Sequence, residues 1–343
     1  MKKITINMLS QADKVDGQGV SSAYLEQVEL VKENKDFEVF INSNKKCDII
    51  HCHTVNPTYY LKMLSDNSVT VAYVHFLPDT LDGSIKLLKG MSKIFRKYII
   101  KFYNAADYLV VVNPTFISEL CRYGIKKEKI IYIPNYVSKE NFYKLKDKEV
   151  LKIKEKYGLE NNKFTVLGVG QVQTRKGVKD FVECAKALPE FQFVWCGGFS
   201  FGKITDGYDE LKELVDNPPA NLKFVGIIPR NEMNQMYNIC DVLFMPSYNE
   251  LFPMAILEAV NIEKPLLLRN LDLYVDILFG KYIKGKNNRD FVKELKNLAT
   301  DKDYYQKYSS ASKEISEFYC KEHVAALWDS FYKKIYANRE NKK

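Results

Sequence analysis

The sequence predicts two α/β domains in tandem, each a doubly wound parallel sheet, facing one another across a cleft. Three observations lead there. Apolar runs of strand length alternate with longer, helix-length stretches along the chain. The runs are continuous rather than alternating, as in strands covered by helices on both faces. A length of 343 residues exceeds one ordinary domain and fits two of about 150.

The first series of strand-like runs is Ile4–Leu9, Phe37–Ile41, Cys47–Cys52, Val69–Val74, Tyr108–Val112 and Ile130–Ile133. The second is Phe164–Val169, Phe191–Cys196, Leu222–Val225, Val242–Met245 and Pro265–Leu268. Between them, around Pro134 to Val150, a proline precedes Asn135-Tyr136 and a charged run follows. This places an N-terminal domain over residues 1–140 and a C-terminal domain over residues 141–322. The last helical stretch, about His323 to Ala337, follows the second series. It is expected, with the tail to residue 343, to cross back to the first domain.

A formal charge of +8 points to acidic partners: phosphate, nucleic acid or an anionic membrane surface. Seven cysteines, an odd number without a C-x-x-C pair, fit a reducing compartment rather than a disulfide or zinc framework. A strand beginning at Lys3 leaves no room for a signal peptide, and no window approaches 18 apolar residues. The expectation is a cytosolic protein that can still lie on a membrane.

The densest chemistry is in Pro246-Ser247-Tyr248-Asn249-Glu250-Leu251-Phe252-Pro253-Met254-Ala255-Ile256-Leu257-Glu258-Ala259. A strand ends in a polar loop, and a helix is expected to start near Pro253, a favoured first helical residue. Glu250 then lies at the C-terminal edge of the sheet, where open α/β sheets bind ligands. Glu258, about one and a half turns into the helix, can face the same crevice. The helix N-terminus offers N–H groups and a positive dipole end to a phosphate. One carboxylate can accept sugar hydroxyls and the other ribose hydroxyls, with a diphosphate between them. The plain alternative is a solvated helix with surface glutamates, and for two glutamates alone it would win.

Two further elements change that balance. Gly168-Val169-Gly170-Gln171-Val172-Gln173-Thr174-Arg175-Lys176-Gly177 leaves a strand and opens a helix, with glycines for close approach and two cations for a diphosphate. Phe224-Val225-Gly226-Ile227-Ile228-Pro229 then precedes the helix leading to Asp241-Val242-Leu243-Phe244-Met245. In this order and spacing the second half resembles the nucleotide-binding domain of retaining family 4 glycosyltransferases, whose fold is the two-domain GT-B architecture.

The resemblance implies roles. Glu250 would hold the donor sugar, Glu258 the ribose and Lys176 the diphosphate, while the loop at Ile228 would contact the base. Gln171, Arg175, Phe252, Met254 and Ala255 would complete the donor site. Gln171 stands where the family carries Arg, which leaves Arg175 as the replacement cation. Glu250-Leu251-Phe252-Pro253 stands for E-G-F-G and bears on sugar choice.

In the first half, Asp16-Gly17-Gln18-Gly19 follows the first strand, so Gly17 and Gly19 can approach the donor phosphate from across the cleft; a plain glycine turn is the alternative. His75 lies just past a strand end. It is either a structural hydrogen-bonder or, as the resemblance implies, a catalytic group beside the donor sugar and acceptor hydroxyl. His51 and His53, two apart on a strand, share one face. They lack a third metal ligand, and His53 is expected near the acceptor, with Asp79. Asp301-Lys302-Asp303 reads as a helix cap rather than a metal site.

Ile6-Asn7-Met8-Leu9-Ser10, Gly17-Gln18-Gly19-Val20, His53-Thr54-Val55-Asn56-Pro57-Thr58, Tyr73-Val74-His75-Phe76-Leu77-Pro78-Asp79 and Val111-Val112-Asn113-Pro114-Thr115-Phe116 narrow the group. They resemble bacterial glycosyltransferases that extend glucosyl-diacylglycerol. The implied reaction moves α-glucose from UDP-glucose to a membrane glycolipid, without a metal cofactor, the leaving diphosphate itself taking the acceptor proton. Independently, Lys86, Lys89, Lys93, Arg96, Lys97 and Lys101 fall in one arc of a helix whose other side holds Leu87, Leu88, Met91, Ile94, Phe95, Tyr98, Ile99 and Phe102. That helix either packs on the core with its lysines in water or also meets anionic lipid.

The expected protein is therefore peripheral on the inner face of the cell membrane, takes UDP-glucose or UDP-galactose, and has no nucleic-acid partner. The rivals are the same chemistry on diacylglycerol, a soluble sugar or a protein, and a non-catalytic nucleotide-sugar-binding protein.

Overall fold

The computed structural model describes residues 3–11, 19–75, 77, 89–200 and 202–340. Two six-stranded parallel sheets organise the chain, each with helices on its flanks. The first contains β1 (Ile4–Leu9), β2 (Phe37–Ile41), β3 (Ile49–Cys52), β4 (Val69–Val74), β5 (Tyr108–Val111) and β6 (Ile130–Tyr132), in the order β2-β1-β3-β4-β5-β6. The second contains β7 (Thr165–Val169), β8 (Gln192–Cys196), β9 (Leu222–Gly226), β10 (Val242–Met245), β11 (Leu266–Arg269) and β12 (Ile283–Gly285), in the order β12-β11-β10-β7-β8-β9. The central strands are apolar and buried, as strands sandwiched between helices must be, while the edge strands β2, β6, β9 and β12 are only partly buried.

Each sheet reverses its winding once: between β1 and β3 in the first, and between β7 and β10 in the second. Loops leaving such a pair diverge and open a crevice at the strands' C-terminal ends. The sequence reading places eleven of these strands to within about two residues, the usual uncertainty of element ends. It misses β12, a three-residue strand whose central Lys284 is exposed. Too short and too polar to show as an apolar run, it is held by pairing with β11.

The helices that matter below are α1 (Gly19–Lys32), α2 (Pro57–Ser65), α3 (Lys89–Ala105), α4 (Thr115–Arg122), α5 (Asp147–Lys156), α6 (Val178–Ala187), α7 (Tyr208–Asp216), α8 (Arg230–Ile239), α9 (Met254–Asn261), α10 (Leu273–Leu278), α11 (Asn288–Thr300), α12 (Lys302–Phe318) and α13 (Lys321–Glu340). The last, α13, follows the second sheet in sequence yet packs on the first. Its Tyr332 lies 2.7 Å from His51 Nδ1 and receives a hydrogen bond from Gln27, while Lys333 pairs with Asp36. Asp301 caps α12, its carboxylate accepting from Tyr304 N at 2.9 Å.

Helix α3 departs in one respect from its expected faces. Ile99, Phe102 and Tyr103 are buried, but Ile94, assigned to the apolar side, is 72% exposed. At about 100° per residue Ile94 sits roughly 140° round from Ile99 and about 20° from the exposed Lys101. The buried stripe is thus narrower than the run of apolar residues. Arg96, by contrast, is half-buried.

Candidate active site

The site forms where the loops after β7 and β10 diverge. The R-K-G turn reaches it through a left-handed residue: Gly177 has φ +69°, and a Cβ there would lie 2.3 Å from the Pro246 carbonyl oxygen. Only glycine permits both the backbone angle and the approach of the second loop. The loops are joined again by Tyr248 N donating to Arg175 O at 2.8 Å. Arg269 of β11 braces the joint from below. It donates to Pro246 O at 2.7 Å, pairs with Asp180 at 3.1 Å, and stacks 3.9 Å from the Tyr248 ring centroid.

This frame brings Lys176 against Glu250, Nζ to Oε1 at 2.5 Å, with both side chains buried. Arg175 lies 4.0 Å from the other Glu250 oxygen and donates to Asn249 O at 3.2 Å. Burial alone would raise the Glu250 carboxyl. The charges of Lys176 and Arg175 and the hydrogen bonds of Lys176 and Ser247 outweigh it and hold the group below its ordinary range, as a carboxylate.

Pro253 is the residue before α9, in extended conformation, rather than the first helical residue expected from sequence. The N–H groups of Met254, Ala255 and Ile256 open the helix, and an α-helix leaves such groups without intrahelical acceptors. One turn further, Glu258 is buried and doubly held: Tyr237 OH donates to Oε2 at 2.6 Å and Arg230 to Oε1 at 2.9 Å. Lys176 and Glu250 thus meet on the loops that precede α9, and Glu258 lies on α9 itself. Gln171 accepts from Gln173 at 2.6 Å, and Phe252 is buried against Tyr319. Ile228 is half-buried.

The first sheet reaches across to the loop after β10 and the start of α10 with two asparagines that the sequence reading gave no role. Asn113 Nδ2 donates to the carbonyls of Leu251 and Leu273, at 3.2 and 3.0 Å. Asn135 donates to Phe252 O at 3.1 Å and accepts from Tyr73 OH at 3.3 Å. Asn113 lies in the N-P-T stretch already singled out, but its partner is unreadable from local spacing.

Tyr73 belongs to a buried stack of rings with His51, His53, His75 and Trp328. The His51 and His53 centroids are 4.4 Å apart, and those of His53 and His75 are 5.8 Å apart. Burial pushes His51 and His75 down to about 3, and His53 well below its ordinary value, so all three are neutral at pH 7. His53, expected near the acceptor, is instead part of a packed interior, held among Tyr24, His51, Tyr73 and His75. Among the described residues no three His, Cys, Asp or Glu converge as metal ligands, and all seven cysteines are unpaired. Gly17, Asp79 and Lys86 lie outside the described residues. Gly19 opens α1, and Lys89 opens α3.

Two tandem Rossmann-like parallel sheets, each with one switch point, define the GT-B class. Solved structures agree on the fold. Sucrose-phosphate synthase from Thermosynechococcus elongatus superposes with a TM-score of 0.81 at 16% identity, over 98% of this chain and 100% of that one. The Anabaena protein HepE, in complex with UDP and glucose, does so with 0.77 at 14% identity, over 96% and 99%.

Residues 149–315 match the pattern of glycosyl transferases group 1, and residues 34–141 that of glycosyltransferase family 4. The chain is similar to an alpha-galactosylglucosyldiacylglycerol synthase of Streptococcus pneumoniae, 44% identical over 342 residues, 97% of this chain and 90% of that relative. It also resembles a processive diacylglycerol alpha-glucosyltransferase of Acholeplasma laidlawii, 26% identical over 73% of this chain and 75% of the relative. The chain belongs to the family 4 glycosyltransferases.

Proposed function

We propose that this enzyme transfers a hexose, with retention, from a UDP-sugar to a glucosyl-diacylglycerol at a membrane surface. The observation that carries the reading is the buried Lys176–Glu250 pair set beside the start of α9 and Glu258. An incoming diphosphate competes with Glu250 for Lys176 and takes hydrogen bonds from the α9 N-terminus, while Arg175 supplies a second cation. Glu250, released from Lys176, accepts from the sugar hydroxyls, and Glu258 accepts from the ribose. The bond from the sugar C1 to the phosphate oxygen breaks as the acceptor oxygen attacks C1 from the same face. The acceptor proton passes to the departing phosphate oxygen. His75, neutral and packed on Tyr73 at the end of β4, is the first-sheet residue this reading sets toward the acceptor hydroxyl.

Galactose is the proposed sugar, in place of the glucose expected from the first-half motifs. The support is the relative that is 44% identical over nearly the whole chain, whose name gives galactose as the outer sugar. Glucose remains the second reading, supported by the α-glucosyltransferase relative. The diphosphate site is proposed to work without a metal ion.

The membrane part of the reading has its own support. Lys93, Lys97 and Lys101 are exposed on α3, which carries no acidic side chain. Exposed apolar side chains lie beside them: Ile94, and on α2 Leu61 and Leu64, 63% and 60% exposed. The two helices meet through Tyr60, which packs on Tyr98 and Phe102. Apolar groups among basic ones suit shallow insertion between anionic headgroups. No helix among the described residues is long and apolar enough to cross a membrane. The enzyme would then act from the cytosolic side as a peripheral protein.

The test is incubation with UDP-galactose or UDP-glucose, each with and without vesicles containing glucosyl-diacylglycerol, followed by product analysis. A dihexosyl lipid formed from UDP-galactose is the expected result. Transfer only to soluble sugars, or only to unglycosylated diacylglycerol, would overturn the acceptor.

A further inference from the structure

Arg230 opens α8 directly after Pro229 and belongs to none of the donor motifs. Its guanidinium is shared between two buried carboxylates, one on each side of the cleft. One nitrogen donates to Glu258 Oε1 at 2.9 Å, the other to Glu26 Oε1 at 2.5 Å. Glu26 comes from α1 beside the first sheet, 204 positions away in sequence, and its second oxygen accepts from Ser138 N at 3.1 Å. Ser138 lies in the connection between the two sheets, as does Phe142, whose ring faces the guanidinium at 5.3 Å. Phe142 in turn packs edge-on against Tyr237, the other partner of Glu258. Burial works against the charge of Arg230, but Glu258 and Glu26 outweigh it and hold the guanidinium above its ordinary range.

The arrangement has a geometric consequence. A carboxylate offers about four lone-pair directions. On Glu258 one is taken on each oxygen, by Arg230 and by Tyr237, which fixes the plane of the group and leaves one free direction per oxygen. Two such directions match the two adjacent hydroxyls of a ribose. Tyr237 belongs to the same helix as Arg230, so it cannot report on the opposite side of the cleft. Glu26 can.

We propose that Glu26, through Arg230, is a positioning residue for the ribose glutamate, making nucleotide affinity depend on a side chain of the other domain that does not itself meet the nucleotide. This rests on the reading of Glu258 as the ribose acceptor. Arg230 is oriented toward Glu258 only while Glu26 holds its other nitrogen. Without Glu26 the guanidinium is free to turn to solvent, and the Glu258 plane is no longer fixed. The phosphate end of the site, at Lys176 and the start of α9, takes no part in this contact.

The experiment measures UDP and pyrophosphate affinity by calorimetry, with donor KM and kcat, for the parent, Glu26→Ala, Glu26→Gln, Glu258→Gln and the double variant Glu26→Ala/Glu258→Gln. Glu26→Ala should weaken UDP binding about five- to tenfold, the lower range of coupling between sites. Donor KM should rise to match, with kcat and pyrophosphate affinity within about twofold of the parent. Glu26→Gln keeps one acceptor oxygen, which can face Arg230 or Ser138 N, so it should fold and show a smaller loss, about threefold. In the Glu258→Gln background, Glu26→Ala should change UDP affinity no further, as contacting residues couple.

The two ideas fail separately. If Glu258→Gln itself leaves UDP affinity unchanged, the ribose assignment falls. If Glu258→Gln weakens UDP while both Glu26 variants bind it like the parent, the positioning role falls. Loss of UDP and pyrophosphate affinity together in the Glu26 variants would mark Glu26 as a general structural support and also overturn it.

Discussion

On the side of the second sheet, the cleft is built from paired charges that are buried or partly buried: Lys176 with Glu250, Arg230 with Glu258, and Arg269 with Asp180. On the side of the first sheet it is built from neutral rings: His51, His53 and His75 stacked with Tyr73 and Trp328, and closed by Tyr332 from α13. Both arrangements bury polar atoms, but they answer the cost differently. Charges brought together hold the geometry that a diphosphate and two sets of hydroxyls would need, and losing one partner leaves the other uncompensated. Rings bury cheaply while uncharged, and their weakness is protonation. Apart from the buried Glu26, the first side carries exposed charge, on the lysines of α3.

The largest effect should come from acid, and it should fall on the ring side. An unfolded chain takes up protons on these histidines near 6.5, whereas His51 and His75 in the fold resist down to about 3 and His53 is likewise held well below its ordinary value. Their folded values are depressed, so the stability tied to the neutral rings is intact above about 6.5 and is lost as pH falls toward 3. Between pH 6.5 and 5, each group costs about 2 kcal/mol, and three together about 6. Denaturant titrations at pH 7, 6 and 5 should show this slope, and His75→Gln should remove about a third of it. A parent whose stability is flat over that interval would mean that the rings are not held neutral.

Next comes the outer face of the same half. Lys93→Glu, Lys97→Glu and Lys101→Glu together remove three attractions to anionic lipid and add three repulsions. At about 1 kcal/mol each, halved by screening, the loss is about 3 kcal/mol, or roughly a hundredfold in partitioning. Sedimentation with phosphatidylglycerol vesicles measures it. Leu64→Ser should weaken binding less and independently of salt. If the triple variant folds and sediments like the parent at low salt, α3 only packs.

On the charged side the expected effects concern turnover and ligand affinity. Lys176→Ala should lower kcat/KM about a hundredfold, the scale of losing one preorganised charge stabiliser. Glu250→Gln in the same background should restore stability but not activity, since it relieves the orphaned carboxylate without replacing the cation. Near-normal turnover in a folded Lys176→Ala enzyme would remove Lys176 from the mechanism. Glu258→Ala should act mainly on UDP affinity, by about 2 kcal/mol.

The same contrast explains what the sequence could reveal. Lys176, Glu250 and Glu258 stand out because the proposed chemistry calls for particular residue types at short, fixed spacings on segments that the strand pattern already places together. The two sheets are legible for a similar reason, each strand being a local apolar run. The ring stack is not, because Tyr332 meets His51 across 281 positions and no local signal joins them. Asn113 and Leu251 are 138 apart, and an asparagine holding a carbonyl has no type-specific partner to search for. Ile94 was misassigned for a different reason: periodicity gives an angle, but the width of the buried stripe depends on what packs against it.

The smallest expected effect is none, on removal of divalent metal, and it tests whether the charged side is sufficient by itself. A diphosphate leaving group must shed negative charge onto something as the sugar–oxygen bond breaks. A bound divalent ion is one solution, and fixed cations aimed at the same oxygens are another. Here Lys176 and Arg175 converge on one carboxylate that the diphosphate can displace, and α9 opens directly behind it. The D-x-D pair at Asp301 and Asp303 is no ready ligand set, since Asp301 is committed to capping α12. Product formation in EDTA should therefore stay within about twofold of that in magnesium, provided that the vesicles are matched so that metal does not alter the lipid surface. A detergent-solubilised acceptor separates the two effects. Complete loss in EDTA with that acceptor, restored by magnesium or manganese, would show that the fixed cations do not suffice and that the carboxylates of the cleft recruit an ion with the donor.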